Sequence, residues 1–136
     1  MAKIEPEEQD FDPETFGTDE ARAAFAEGIA LFDAGDYHAA HEAFERCWLG
    51  NEGADADFHK GLIQACICLH HFRRDNLEGA KKLYTGHRKL LAPFLPAHRG
   101  IDLTAFLTDM QRVLRPVLRG AEGARFELEE RPLLGR

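Results

Sequence analysis

The sequence predicts an all-α protein of five main helices, and three observations carry this prediction. No segment shows the period-two alternation of apolar and polar residues that is typical of a half-buried strand. Apolar residues instead recur at helical spacing over five segments. Helix caps and breakers such as Gly35, Asn76 and Asp102 separate these segments. We therefore expect two antiparallel helical hairpins followed by a C-terminal helix.

The first hairpin is predicted from its caps. Thr18 is a suitable N-cap for helix 1, which should run to Ala34. Gly35 supplies the stop, and Asp36 caps helix 2, which covers residues 37–48. The short connection predicts that the two helices pack side by side.

Helix 2 divides into faces when each residue is advanced by 100°. His41 lies at the edge of the core face, with Glu45 and His38 a little further round. Glu42 points outward, where it can pair with Arg46 at i,i+4. The predicted core side chains are Tyr37, Ala40, Phe44, Cys47 and Trp48.

Helix 3, at about 58–74, is apolar on two nearly opposite faces, which is typical of a central, buried helix. A polar strip of Lys60, Gln64 and His71, with Arg74 and His70 beside it, runs between these faces. A buried glutamine needs hydrogen-bond partners, because an unpaired buried amide costs about 1–3 kcal/mol.

Helices 4 and 5 are also predicted from their caps and breakers. Asn76 caps helix 4, which continues to Pro93. Asp102 caps helix 5, and Pro116 ends or kinks it. The predicted organisation is an N-terminal arm (1–17), one helical domain (18–116) and a C-terminal tail (117–136). Phe11 and Phe16 are candidates to pin the arm, and the segment 126–128 either docks or stays mobile.

Composition excludes several classes of function. The chain of 136 residues is long enough for one domain with its own core. Its net charge of -7 argues against a nucleic-acid partner, which would need a basic face. The modest basic cluster is interpreted as a solvated helix face, with an anion site as the alternative. Its members are Arg73, Arg74, Lys81, Lys82, Arg88 and Lys89.

The cysteines and the apolar segments predict a cytoplasmic protein. Cys47, Cys66 and Cys68 form no C-x-x-C pair and are predicted to be reduced and buried. No apolar run approaches the roughly 18 residues of a membrane-spanning helix, so no membrane contact is expected. The N-terminus lacks the basic-then-apolar order of a signal peptide.

Two segments resemble each other at a spacing of 40 residues. Gly35-x-Tyr37-x-x-Ala40-x-x-x-Phe44 aligns with Asp75-x-Leu77-x-x-Ala80-x-x-x-Tyr84. The pattern is similar to the core of tetratricopeptide repeats, which implies tetratricopeptide-like packing of the two hairpins. Ala40 and Ala80 would lie where two helices approach closely.

A second resemblance covers about residues 25–95. Its motifs are A-H-E-x-x-E-x-x-W at Ala40–Trp48, G-L-I-Q at Gly61–Gln64, His70-His71, and Asn76-x-x-Gly79-Ala80. Together they resemble the prokaryotic family known as domain of unknown function 309. The resemblance implies a small, all-helical, cytosolic protein and brings no activity with it. The positions it implies are His41, Glu42, Glu45, Trp48, Gln64, and His70 or His71.

These positions define a candidate polar pocket between helices 2 and 3. One hypothesis is a buried hydrogen-bonded network of His41, Glu45, Gln64 and His71, covered by Trp48 with its indole N–H bonded inside it. A second is a binding groove for a peptide or small ligand, with the network as its floor. A third is a divalent metal held by His41, Glu45 and His71, or an acid–base pair.

We favour a non-enzymatic binding or interaction module without a cofactor. H-E-x-x-E is not the H-E-x-x-H of zinc peptidases, and serine, the commonest hydroxyl nucleophile, is absent from the chain. A metal-dependent or acid–base hydrolase using His41, Glu45 and His71 is the alternative. The expected partner is a protein or small molecule, and the expected assembly is a monomer or a homodimer.

Overall fold

The computed structural model describes residues 19–48 and 53–135, and it confirms the all-α prediction. A pair of two-residue strands and two short 3-10 turns accompany the helices. The predicted arm, the Thr18 cap of helix 1 and part of the loop before helix 3 lie outside the described residues. The helices are α1 (Asp19–Asp33), α2 (Tyr37–Trp48), α3 (Ala56–Arg73), α4 (Leu77–Leu91) and α5 (Leu103–Leu118). The strands are β1 (Ala97–His98) and β2 (Ile101–Asp102), and the 3-10 turns are Ala92–Phe94 and Leu128–Glu130.

The turns of the two helical hairpins have the same geometry. Gly35 and Asp75, which are 40 residues apart in the sequence, both adopt a positive φ, of 87° and 65°. The Gly35 N–H donates to Phe32 O at 2.9 Å, and the Asp75 N–H donates to Phe72 O at 3.1 Å. Left-handed residues of this kind close helix C-termini. The internal similarity in the sequence therefore corresponds to one turn type used twice.

The five helices enclose a single aromatic core. Ala40 of α2 and Ala80 of α4 are both fully buried, as the sequence pattern predicts. Phe32 of α1 meets Phe106 of α5 edge to face, with ring centroids 5.6 Å apart, so α5 closes the core opposite the hairpins. The largest fully buried side chains include Tyr37, Phe32, Phe44, Phe58, Phe72, Phe106, Leu62, Leu69 and Met110.

Two helix boundaries differ from the predictions. α3 begins at Ala56, inside the segment predicted as a loop. Pro116 does not end α5, because the helix continues to Leu118. A proline in the last turn removes one backbone donor, and the remaining hydrogen bonds still hold the turn. The predicted caps at Asn76 and Asp102 are confirmed, since their side chains accept from Gly79 N and Ala105 N at 3.0 Å.

The C-terminal segment packs against the helical body. The Phe126 ring meets Tyr37 and Phe72 at centroid distances of 5.8 Å each. Leu134 is buried, and its N–H donates to Asp33 Oδ1 at 2.7 Å. Of the two alternatives that the sequence left open for this segment, docking is therefore the one observed. None of the helices in the described part of the chain has the length and apolar character needed to cross a membrane.

Candidate functional site

Four imidazole rings lie in a row along α2 and the C-terminal turn of α3. The centroids of His38 and His41 are 5.1 Å apart, those of His38 and His70 are 5.7 Å apart, and those of His70 and His71 are 6.2 Å apart. His41 Nδ1–H donates to the His38 carbonyl at 2.7 Å, which leaves its Nε2 as the nitrogen for other contacts. The row includes three predicted site residues, His41, His70 and His71. His38, which was outside the predicted set, joins them.

The two middle rings of this row, those of His38 and His70, line a cleft of about 560 Å³, here called the α2–α3 cleft. Its wall is formed by the α1–α2 turn, the first turn of α2 and the last turn of α3. Short helical hairpins place these three elements together, because Gly35 reverses the chain directly beside the end of α3. The lining residues are Ala34, Gly35, Asp36, Tyr37, His38, His70, Arg73 and Arg74.

The electrostatics of the α2–α3 cleft are dominated by cations. Partial burial, and after it the positive charge of Arg74, lowers the pKa of His70, and the neighbouring imidazoles act in the same direction. The Arg73 guanidinium donates to the Gly35 carbonyl and stacks over the Tyr37 ring at 5.8 Å. Asp36 is the one carboxylate in the lining, and it accepts from the Ala39 N–H at 3.3 Å.

Gln64 and His71 also contact α4 or the turn that precedes it. Gly79 and Gly86 of α4 are seven residues apart, as are Gln64 and His71 on the antiparallel α3. A Cβ atom on Gly86 would overlap Gln64 Oε1, and one on Gly79 would lie 2.8 Å from the His71 ring. Each glycine therefore leaves the space that one polar side chain of α3 occupies.

His71 and Gln64 differ in their hydrogen bonds. Asn76 accepts from Gly79 N through Oδ1, which fixes its amide so that Nδ2–H donates to His71 Nδ1 at 3.2 Å. His71 is thereby held by the α3–α4 turn. The Gln64 Oε1 atom is buried and has no hydrogen-bond partner within the described chain.

The remaining predicted site residues are mostly exposed. Glu45 is exposed, and Glu42 approaches His38 Nε2 at 3.4 Å. The predicted Glu42–Arg46 pair is wrong, because Arg46 reaches across to Glu27 of α1 at 2.6 Å. Trp48 is only partly buried, its Nε1 has no partner among the described residues, and the ammonium of Lys60 lies 5.5 Å from its ring.

The hypothesis of a single buried network is therefore wrong. His41 bonds to the α2 backbone and Gln64 lies against α4, and neither Gln64 Oε1 nor Trp48 Nε1 has a hydrogen-bond partner in the described chain. The physical reason is that α3 has neighbours on both sides. Within the ranges 19–48 and 53–135, no three His, Cys, Asp or Glu side chains are arranged to hold one metal ion, and His41, Glu45 and His71 do not converge.

The structure also contains a buried polar cluster that the sequence analysis missed. Asp55, in the segment predicted as a loop, is 5% exposed, and its Oδ2 accepts from His98 Nε2 at 2.8 Å and Arg99 Nε at 2.9 Å. His59 donates through Nδ1 to the Asp55 carbonyl at 3.0 Å and lies 3.3 Å from Cys47 Sγ through Nε2. The only local signal was the i,i+4 spacing of Asp55 and His59.

The Cys47–His59 contact does not resemble a catalytic thiolate–imidazolium pair. Burial raises the pKa of the Cys47 thiol to about 11, and burial lowers the pKa of His59. Both groups are therefore neutral at pH 7, whereas a nucleophilic cysteine needs a lowered pKa. All three cysteines are buried and none forms a disulfide, which confirms their prediction as core residues.

The space at Gly86 gives a testable prediction. Gly86→Ala should lower the free energy of unfolding by about 1–3 kcal/mol, because the added methyl group overlaps the Gln64 amide. Urea unfolding followed by circular dichroism measures the change. In a Gln64→Ala background, the same substitution should stabilise the protein by about 1 kcal/mol, since alanine is the better helix former. Equal effects in both backgrounds would contradict the assigned contact.

Comparisons with known proteins agree with the motif-based resemblance. The search of curated proteins gave no match. A family model described as "Domain of unknown function (DUF309)" matches residues 25–83, which include α2, α3 and the first half of α4. The matched range contains the A-H-E-x-x-E-x-x-W and G-L-I-Q motifs and ends earlier than the predicted resemblance, which extended to about residue 95. Residues 25–83 are thus similar to the family of domain of unknown function 309.

Proposed function

We propose that the protein is a non-enzymatic helical binding module whose ligand occupies the α2–α3 cleft. The observation that carries the proposal is the cleft itself, because its volume of about 560 Å³ is in the range of small-ligand sites. His38 and His70 line the cleft from two different helices, and the α1–α2 turn forms its third side. Ligand sites between the helices of a bundle are commonly built in this way.

The organisation of the polar side chains around the cleft supports the proposal. The His38 and His41 rings are in contact with each other, and His38 also contacts His70, but none of these imidazoles is enclosed in the core. They are held in place by helix geometry and retain open hydrogen-bonding positions. A scaffold that fixes polar groups before the ligand arrives lowers the entropy cost of binding.

A blocking substitution tests this function. Ala34 lies at the mouth of the cleft and is exposed, so Ala34→Phe should fill the space without disturbing the core. Ala30, exposed one turn earlier on α1 and not part of the lining, provides the matched Ala30→Phe control. A library of small polar and charged fragments should shift the backbone amide resonances of His38 and His70 in the unmodified protein and in the control.

The expected result is loss of these shifts in Ala34→Phe alone. Fragment shifts that persist in Ala34→Phe, or that concentrate on another surface, would show that the α2–α3 cleft is not the binding site. Circular dichroism of both variants verifies that the helices are intact before the spectra are compared.

A further inference from the structure

We infer that the α2–α3 cleft recognises an oxyanion, namely a phosphate or carboxylate group carried by a small molecule. This inference rests on the proposed function and adds the chemical class of the ligand. Two arginines and two histidines lie in the lining of one cleft, opposite a single carboxylate. The protein as a whole has 24 acidic and 17 basic side chains, so this local excess of cationic groups runs against its overall charge.

Arg73 is positioned to present its guanidinium. Its Nη1 donates to the Gly35 carbonyl, and its planar group lies over Tyr37 at 5.8 Å and over Phe126 at 5.3 Å. A guanidinium has five N–H donors in a fixed fork, so donors remain after the bond to Gly35. The stacking limits side-chain motion and reduces the entropy that binding would cost.

Arg74 supplies a second, more accessible charge. It is exposed, and it forms no ion pair within the part of the chain that the structure describes. Its backbone N–H is bonded to the His70 and His71 carbonyls, which ties the residue to the end of α3. Its guanidinium is therefore available to a ligand, and its backbone is fixed at the rim of the cleft.

The N-terminus of α2 is not the source of the attraction. Asp36 already accepts from the Ala39 N–H and places a negative charge at that helix end. The ligand's negative charge is instead balanced by the two arginines and by protonation of the imidazoles. A bound anion favours the charged form of nearby histidines, so binding and proton uptake are coupled.

The groups that face these imidazoles set the direction of the coupling. His70 is faced by Arg74 directly after its helix, by His71 beside it and by His38 and His41 of α2, all of which oppose a further positive charge. His38 is also close to Glu42, 3.4 Å away. An anion in the cleft relieves the opposition at His70 and favours its protonated form, so the affinity for the anion should rise as the pH falls below the ordinary histidine value of about 6.5.

Isothermal titration calorimetry of the full chain with sulfate and, separately, acetate tests the inference. Sulfate keeps its charge over the pH range used and represents phosphate groups, whereas acetate represents carboxylates. We expect saturable sulfate or acetate binding at about pH 5.5 that is at least about threefold weaker at about pH 8. The tighter of the two probes identifies the ligand class, and either supports an oxyanion site.

Matched variants assign the binding to the cleft. Arg74→Gln should weaken binding about tenfold, as expected for one lost charge-assisted hydrogen bond. Arg115→Gln removes the same charge from an exposed position on α5 and should change affinity by less than about twofold. His70→Gln should remove most of the increase in affinity between about pH 8 and about pH 5.5.

Two results would overturn the inference. One is the absence of saturable binding of both probes at pH 5.5, and the other is an equal loss of affinity in Arg74→Gln and Arg115→Gln. Neutral fragments that still shift the His38 and His70 amides in that case would leave the proposed binding site standing and remove only its anion specificity.

Discussion

Replacing Asp55 with alanine is expected to lower the free energy of unfolding by about 3–5 kcal/mol. The carboxylate accepts hydrogen bonds from His98 and Arg99, and the Arg99 side chain is itself only 5% exposed. Removing one member of a buried charged pair leaves the other charge poorly solvated. The free-energy cost of that unpaired charge exceeds the net stabilisation that the intact pair provides. Urea unfolding at pH 7, followed by circular dichroism, measures the loss.

Asp57→Ala is the matched control for this prediction. Asp57 lies two residues further along, is exposed, and interacts mainly with the N-terminus of α3, so its removal should cost no more than about 1 kcal/mol. Asp55 itself makes no side-chain capping bond to α3, so lost capping does not explain its effect. Similar losses in both variants would contradict the assigned role of the Asp55 cluster.

The pH dependence of Asp55 follows from the same contacts. Burial alone would raise the pKa of this carboxyl, but the hydrogen bonds from His98 and Arg99 outweigh burial and hold the pKa below its usual value. A lowered pKa in the folded state contributes stability above the unfolded pKa of about 3.9. That contribution is lost as the pH falls through the folded-state pKa.

Acidification from about pH 7 to about pH 4 is expected to cost up to about 3 kcal/mol through His87 alone. His87 is fully buried, and burial lowers its pKa to about 4. Its Nδ1–H donates to the Tyr84 carbonyl at 2.6 Å, while Nε2 has no partner within the described residues. Between about pH 6.5 and pH 4 the unfolded chain binds a proton that the folded protein excludes, so stability falls across this interval and levels off below it.

His87→Leu isolates this contribution. The variant should show a smaller loss of unfolding free energy between pH 7 and pH 4 than the unmodified protein, by up to about 3 kcal/mol. An identical pH dependence in His87→Leu and the unmodified protein would exclude His87 as the source. His59, whose pKa burial also lowers, accounts for part of the remaining slope.

The helices could be predicted from the sequence because their causes are local. Asn76 and Asp102 cap helices within three residues of themselves, and the hairpin turns at Gly35 and Asp75 are set by neighbouring backbone bonds. Apolar periodicity then assigns the buried faces. Boundaries were less predictable, as at α3, because Asp55, directly before the first helical residue, bonds to a segment more than 40 residues away.

The polar contacts could not be predicted in the same way. α3 has apolar residues on two faces, so periodicity does not say which polar side chains meet α2 and which meet α4. The structure assigns His70 to α2 and Gln64 and His71 to α4, where glycines provide the space. The Asp55–Arg99 contact likewise depends on a strand pair too short to leave a periodic pattern.

Gly79 and Gly86 also make α4 depend on α3 for its stability. Each glycine makes helix formation in α4 about 1 kcal/mol less favourable than alanine would. α4 has only 15 residues, so the other residues compensate for little of this loss. The helix is therefore stable only while α3 lies against it. Amide hydrogens of α3 and α4 should accordingly exchange with solvent in one shared opening event, so that the two helices form a single cooperative unit within the fold.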